Sequence, residues 1–393
     1  MTVARGPYRP PGRRRGSLTP LIAAVTVLAV GVAVFVVAYL RTGAPTPTAA
    51  QDTASAAPPV PAPASDAPAA DSGQFTLSAV GDVIMGAAPN GLPPDNGHGF
   101  FADVADKLHS DLQMANLEQP LTDDTGVSKC PPDRLGKTCF SFRSPPAYAG
   151  VLKEAGFALV NLANNHAYDY GPAGHQNTRR ALDAVGVRYT GPPGLITVVT
   201  VKGIRVAVLG FAPYPWANDL VNMPKGQELV RQARSQADIV IIQVHMGGEG
   251  ADHTHVKPGT DIFLGENRGD PIAFSHAMID AGADLVIGHS PHVIRAMEFY
   301  KGRLIAYSVG NFAGYHALGY TGVVGITEIL RVTLRRDGSY VAGTIVPTHM
   351  IAPGAPRLDP QRQAIALTAS LCRSDFPATG AHIGADGSVT PPS

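Results

Sequence analysis

Asn164-Asn165-His166-Ala167-Tyr168-Asp169-Tyr170-Gly171 sets an amide, an imidazole and a carboxylate directly after an apolar run, Phe157 to Leu162. Those residue types at a strand end read as a metal-binding or catalytic turn. Four further polar clusters close apolar runs in the same way: Gly81-Asp82, Asn116-Leu117-Glu118, His245 to Glu249, and Gly288-His289-Ser290-Pro291-His292. Ligands of open α/β sheets bind beyond the carboxyl ends of the strands, so the clusters suggest one site assembled from five strand ends. Carboxylate, amide oxygen and imidazole are borderline-to-hard donors suited to Mn, Fe or Zn. Each has an ordinary reading on its own: Asp82 as a turn or helix cap, His245 as a histidine that caps the sheet by a hydrogen bond. Three histidines, two carboxylates and an amide at convergent strand ends favour a metal site over a set of satisfied core residues.

The elements that must position these residues begin at residue 74, where short apolar runs alternate with amphipathic segments. That pattern predicts an α/β domain with a largely buried sheet. Gln74 to Val80, Phe157 to Leu162, Val206 to Phe211, Ile239 to Val244, Leu285 to Ile287 and Leu304 to Val309 read as strands. Several are Val and Ile runs without alternation, as expected where both faces of a sheet are covered. Pro146 to Ala155, Gly174 to Val185 and Gly226 to Ala237 have helical spacing, and Asp270-Pro271 opens a helix through Ala281. Ile196 to Val201 and Arg205 to Leu209 form a hairpin about Lys202-Gly203-Ile204. Gly322 to Leu334 and Ser339 to Pro347 form a second antiparallel pair turning at Asp337-Gly338, and Asp359-Pro360 starts a last helix to about Leu371. Residues 373–393 read as a flexible tail.

The first 73 residues build no core. Residues 1–20 carry Arg5, Arg9, Arg13, Arg14 and Arg15 with no acid, and residues 21–40 contain no charged side chain. An apolar helix of about 20 residues spans the hydrocarbon of a bilayer, and arginines on one flank hold that end in the cytoplasm. The expectation is a cytoplasmic Arg-rich tail, a single transmembrane anchor at 21–40, and the bulk of the chain outside the cell membrane. A cleaved signal peptide is the rival reading, with a shorter apolar core and a small-residue cleavage site. The first cysteine is Cys130, which leaves no lipobox. Residues 41–73 hold seven prolines and eleven alanines and read as a disordered, partly polyproline linker.

All six arginines before residue 42 come without an acid, so the remainder carries 25 basic and 31 acidic side chains, net −6. A phosphate-tracking protein would show a basic stripe, so no nucleic acid is expected as a partner. Cys130 and Cys139 lie in a loop rich in Pro, Gly and Lys, where an extracytoplasmic location permits a short disulfide; a zinc site there lacks any CxxC or neighbouring histidine. Cys372 is left over.

The motifs resemble the calcineurin-like metallophosphatase superfamily, and within it the capsule-synthesis branch, the CapA or poly-γ-glutamate synthesis family. Gly81-Asp82-Val83-Ile84-Met85-Gly86, Asn116-Leu117-Glu118-Gln119-Pro120-Leu121-Thr122, Leu162 to Gly171, Val244-His245-Met246-Gly247-Gly248-Glu249, Gly282 to Val293 and Tyr307-Ser308-Val309-Gly310-Asn311-Phe312 are similar to that family's successive signatures. The resemblance covers about residues 75 to 372. It implies a metallophosphatase-like β-sandwich flanked by helices, four layers α/β/β/α, over residues 74–372. It implies metal ligation by Asp82, Glu118, Asn165, His245, His289 and His292, with His166 as acid or transition-state stabiliser. Two divalent cations about 3.5 to 4 Å apart would clamp an anionic oxygen and lower the pKa of a bridging water. Asp169 would orient His166. Glu249 is open between ligand, base and salt-bridging loop acid.

Three positions depart from the general phosphatase pattern. Ile84 stands where those enzymes carry a histidine, Glu118 replaces a bridging aspartate, and one more residue separates His289 from His292; one metal therefore has a ligand fewer. Asp252-His253-Thr254-His255 lies in a polar stretch, 246 to 269, that either covers the site or is a solvated loop. Arg143, His316 and Tyr320 are open between substrate contact and local pairing. The expected function is an anchored, extracytoplasmic metal-binding protein serving synthesis or export of an anionic polymer such as poly-γ-glutamate, beside synthase subunits. The alternatives are a hydrolase of phosphoesters or amides in the envelope, and a non-catalytic assembly subunit.

Overall fold

A computed structural model of the chain describes residues 73–392. The expected cytoplasmic tail, anchor and linker, residues 1–73, lie outside the described residues except for Gly73. Among the described residues no helix is long and apolar enough to cross a membrane.

Two sheets carry the fold. The larger has ten strands, and one half of it is a parallel run out to the edge: Gln74–Ile84, Leu112–Leu117, Leu159–Asn161 and Arg188–Thr190, in that order. On its other side Gln74–Ile84 pairs antiparallel with Ile326–Arg335, which pairs with Tyr340–Ile351. The smaller sheet has seven strands and its own parallel run: Ile204–Ala212, Ile239–His245, Leu285–His289 and Arg303–Ala306. The hairpin about Lys202-Gly203 adds Thr197–Val201 to its edge.

Alternation along the strands shows how the layers stack. Phe75, Leu77 and Ala79 of the first strand, with Leu112 and Met114 of the next, join Val206, Val208, Ile241 and Leu285 of the smaller sheet in one core. The intervening positions, Val80, Val83, Ala115 and Leu117, face the other way against Phe101, Tyr148, Leu152 and Leu182. The helices that supply Tyr148, Leu152 and Leu182, Tyr148–Glu154 and Gly171–Val185, cover the outer face of the larger sheet. Val230, Phe274 and Met278 of helices Met223–Gln236 and Pro271–Asp280 pack on the smaller sheet. The result is a mixed α/β sandwich with helices outside each sheet. Ile239-Val240-Ile241-Ile242 is buried at every position, which explains its lack of alternation.

Helix ends follow their caps. Asp270 accepts the Ala273 N–H and Pro271 takes the first helical position, as the sequence predicts. Asn222 caps the helix that starts at Met223, ahead of the expected Gly226. The last helix starts at Gln363 rather than Pro360. The Asp359 carboxylate takes the amides of Gln361 and Gln363, and the intervening turn puts Arg362 at φ 58° before the helix begins.

Residues 373–392 correct the expected flexible tail. The helix runs on to Asp375, and His382–Ile383 and Ser388–Thr390 extend the larger sheet through Tyr340–Ile351. Val389 and Ile383 bury into the core, and Thr379 donates to the buried Glu298 carboxylate. Strands of two and three residues are too short to display a period, so the segment looked structureless. Cys372 is buried and free; its thiol accepts the Met297 N–H, and burial pushes it up to about 11. It is a core residue.

Candidate metal centre

The two parallel runs place their carboxyl ends along one side of the sandwich, and strand register lines up the polar residues there. Asp82 is opposite Asn116, and Asn116 is opposite Asn161. His289 is opposite His245 in the smaller sheet. The strands approach closely where they deliver these side chains: a Cβ on Gly81 would overlap the Gly310 carbonyl, and one on Gly288 the Tyr307 carbonyl. The turn after His289 is strained, with Ser290 at φ 98° and His292 at φ 57°. Non-glycine residues held in that region cost on the order of 1–3 kcal/mol and persist where the surroundings enforce them. Here the turn brings the second histidine back to the first strand.

Asp82, Glu118 and His292 offer ligand atoms within 4.8 Å of one another. His292 Nδ1 lies 3.1 Å from Asp82 Oδ2 and 2.8 Å from Asn311 Oδ1. His292 Nε2 lies 3.8 Å from Glu118 Oε1. His289 Nδ1 stands 3.7 Å from Asp82 Oδ1, and His245 Nε2 stands 3.8 Å from Glu118 Oε1. The separations of 3.7 and 3.8 Å are too long for hydrogen bonds, whereas His292 Nδ1 and Asn311 Oδ1 are hydrogen-bonded. Buried polar groups are normally satisfied, yet Asp82 Oδ2, both oxygens of Glu118, Asn165 Oδ1, both ring nitrogens of His245, and His289 Nδ1 have no hydrogen-bond partner. A cation beside Asp82, Glu118, His245 and His289 would engage an unpartnered atom of each of these side chains, and carboxylate and imidazole suit a divalent one. The residues fit a metal.

The electrostatics agree. Burial holds Glu118 well above the usual carboxylate range, and the neighbouring Asp82 charge pushes the same way. Burial holds His245 well below the usual imidazole range and His289 down at about 4, so both rings are neutral and able to ligate. Burial opposes charge on His292 too, but Glu118 and Asp82 overcome it and raise its pKa well above the ordinary value. Burial would raise Asp82, but the contact with His292 and its charge, the His289 ring and the Asn116 amide together outweigh it, leaving Asp82 below its usual value. Without a metal, His292 carries positive charge beside the carboxylates; binding a cation there would release that proton and free the ring to ligate.

Supporting residues hold these donors in place. Asn116 donates to Asp82 Oδ1 at 2.7 Å and accepts from the amides of Asn161 and Asn164. His289 Nε2–H donates to Gln243 Oε1 at 3.2 Å, which leaves the Nδ1 lone pair for the centre. The His166 Nδ1–H donates to Asp169 Oδ2 at 2.8 Å, and Phe142 packs on the ring at 4.7 Å. Burial lowers the His166 pKa and Asp169 only partly restores it. Asn161 and Gln243 were given no role in the sequence, and Asn164 stood there only as the first residue of its turn, because asparagine and glutamine near strand ends are ordinary residues. Trp216 was also missed: its indole N–H donates to Asn164 O, and its ring stacks between Tyr168 and Tyr214.

The description "Bacterial capsule synthesis protein PGA_cap" matches residues 76–315. The chain belongs to that family. It is 28% identical over 310 residues to the capsule biosynthesis protein CapA of Bacillus anthracis, covering 72% of this chain and 69% of that one. It is 28% identical over 257 residues to the PGA biosynthesis protein CapA of Bacillus subtilis, covering 61% and 63%. The chain thus spans about two thirds of these relatives' length. A putative 5'-nucleotidase from Staphylococcus aureus aligns with 15% identity and a TM-score of 0.44, over 76% of this chain and 58% of that one.

The remaining candidates of this PGA_cap chain sort by geometry. Glu249 Oε1 accepts from Arg268 at 2.7 Å, which is the salt-bridging alternative, while Oε2 stands 3.9 Å from His292 Nε2. His253 and His255 stay out of the cluster. The His253 carbonyl accepts from the buried Arg295, and His255 pairs with Asp375 at 2.7 Å, so both fasten the 246–269 segment. Arg143 pairs locally with Asp124 and lies over Tyr170. Ile84, at the position two after Asp82, is fully buried core. Cys130 and Cys139 are disulfide-bonded. A cavity of about 700 Å³ bounded by Pro193, Pro213, Tyr214 and Lys225 lies to one side, and none of the nine candidate residues lines it.

Proposed function

We propose that this chain is a metal-dependent component of poly-γ-glutamate capsule synthesis or export, anchored by residues 21–40 with its folded domain outside the membrane. The single observation that carries the reading is the set of buried, unpartnered donor atoms on Asp82, Glu118, Asn165, His245 and His289 in a PGA_cap domain. Those residues and His292 would hold a divalent transition metal, Mn, Fe or Zn, as a pair of ions in the metallophosphatase manner. Such ions supply Lewis-acid charge for an anionic oxygen of the ligand. A polymer bearing a carboxylate on every unit offers such oxygens, and the domain's neighbours in the membrane would be the synthase subunits.

His166 supports an active rather than a purely binding role. Asp169 fixes its Nδ1–H, which leaves Nε2 free to exchange a proton with a bound amide or ester at the centre. A hydrolase of envelope phosphoesters or amides is the second reading that this pair favours. The deciding test is polymer output in cells carrying His166→Ala, with the metal content of the purified protein measured alongside. The proposal expects output to fall at least tenfold with metal content unchanged. Undiminished output would leave an assembly subunit in which the centre only binds.

A further inference from the structure

The loop between Ser128 and Phe142 is fastened to the site at both of its legs by one buried residue. Asp169, fully buried, accepts the Phe142 N–H at Oδ2 (2.7 Å), and its carbonyl accepts the Lys129 N–H (2.8 Å). The Lys129 ammonium returns to Asp169 Oδ1 at 2.6 Å. Just outside this clamp the hydroxyls of Ser128 and Ser141 meet at 3.2 Å, and the Cys130–Cys139 disulfide closes the loop. The neck of the loop is therefore built onto the His166–Asp169 pair rather than left over it.

Lys129 has more to offer than this clamp uses. Its ammonium lies 2.6 Å from Asp169 Oδ1, 3.3 Å from the Asn165 carbonyl and 3.2 Å from His166 Nδ1. Because Nδ1–H already donates to Asp169, that nitrogen is no acceptor, so two of the three ammonium hydrogens are used and one is spare. The side chain is 31% exposed while Asp169 is fully buried, so the ammonium remains reachable from solvent. Its charge also reaches Glu118. Arg268, another cation whose charge reaches the site, is already committed to Glu249, Glu266 and Ser290.

We infer that Lys129, held in place by the disulfide-closed loop, is a ligand-binding residue that grips an anionic group, carboxylate or phosphate, of whatever the centre binds. The inference rests on the metal-dependent reading above and extends it from the metal ligands to the polymer's own charge. A charge-assisted hydrogen bond of this kind is strong in a partly buried site and is lost when the cation is replaced by an apolar isostere. Methionine keeps the length of the lysine stem without its charge, whereas arginine keeps the charge.

The test is calorimetric titration of inorganic phosphate into the manganese-loaded full-length protein, with metal content measured on each sample. Lys129→Met is expected to bind phosphate about 10- to 50-fold more weakly at unchanged metal content, and Lys129→Arg to stay within about threefold of the natural protein. The double variant Cys130→Ser/Cys139→Ser, in which the loop is no longer closed, is expected to fall between them. Undiminished phosphate affinity in Lys129→Met overturns the inference and leaves the reading of the centre intact. A natural protein that holds manganese but binds no phosphate overturns the inference together with the anionic-ligand part of that reading. A natural protein that holds no metal overturns the reading itself.

Discussion

Glu118→Gln is expected to make the metal-free protein more stable and the metal-loaded protein less so. Both Glu118 oxygens are buried without a hydrogen bond, and Asp82 stands beside them. Without a cation, burying that carboxylate next to another costs free energy, and neutralising it without changing its shape recovers part of the cost, about 1–3 kcal/mol. With a cation the order reverses. A ligand that binds only the folded state at a thousand times its dissociation constant adds about 4 kcal/mol, and a centre without this carboxylate forfeits most of that gain. Denaturant unfolding in EDTA and again in saturating manganese reads both effects on the same samples. If manganese stabilises Glu118→Gln as much as the natural protein, Glu118 is not a ligand.

Glu328 carries the second large effect, on the strand that pairs with the one bearing Asp82 but outside the proposed ligands. It is fully buried in strand Ile326–Arg335, pairs in register with Pro347, and receives a single long bond, 3.4 Å, from the Thr368 hydroxyl. Burial raises its pKa from 4.5 to about 8. Below about pH 4.5 the folded and unfolded states both hold the proton and the group is neutral in its effect. As pH rises further the unfolded chain ionises while the folded chain does not, so stability falls until about pH 8 and then levels off. Crossing the whole interval is worth roughly 4 to 5 kcal/mol. Glu328→Gln removes the proton from the balance, so the variant is expected to match the natural protein at pH 4 and exceed it by up to that amount at pH 9. Parallel stability profiles for the two proteins would show that the Glu328 side chain reaches water in the folded state.

Much of the sandwich was legible because its strands are unusually apolar. Ile239 to Val244 and Val206 to Phe211 are buried along their whole length, and a run with both faces covered announces itself without a period. The two antiparallel pairs were readable from Lys202-Gly203 and Asp337-Gly338, where the chain must turn. The carboxyl-terminal strands were not, because two or three residues cannot show a period and their partner, Tyr340–Ile351, is more than thirty positions away.

The centre divides in the same way. Asp82, Glu118, His245, His289 and His292 could be named because they lie at the ends of four apolar strands, His289 and His292 sharing one, and register then brings them together. The choice among roles for Glu249 could not, since it depends on Arg268, nineteen residues further on in a segment with almost no regular structure. Lys129 was invisible for the same reason: a lysine in a Pro- and Gly-rich loop reads as solvated until the fold sets it on Asp169. Long-range pairing between a loop and a buried acid leaves no local mark in the sequence.

The most direct test of the account is elemental analysis of the full-length protein after manganese, iron or zinc loading and removal of free metal, beside His245→Ala and His289→Ala. The account predicts close to two ions per chain in the natural protein and loss of metal in both variants. A single ion would keep the centre and remove the pair, as the apolar Ile84 beside Asp82 would then explain. No bound metal under any loading condition would contradict the account, leaving the unpartnered donors of Asp82, Glu118, His245 and His289 without a purpose.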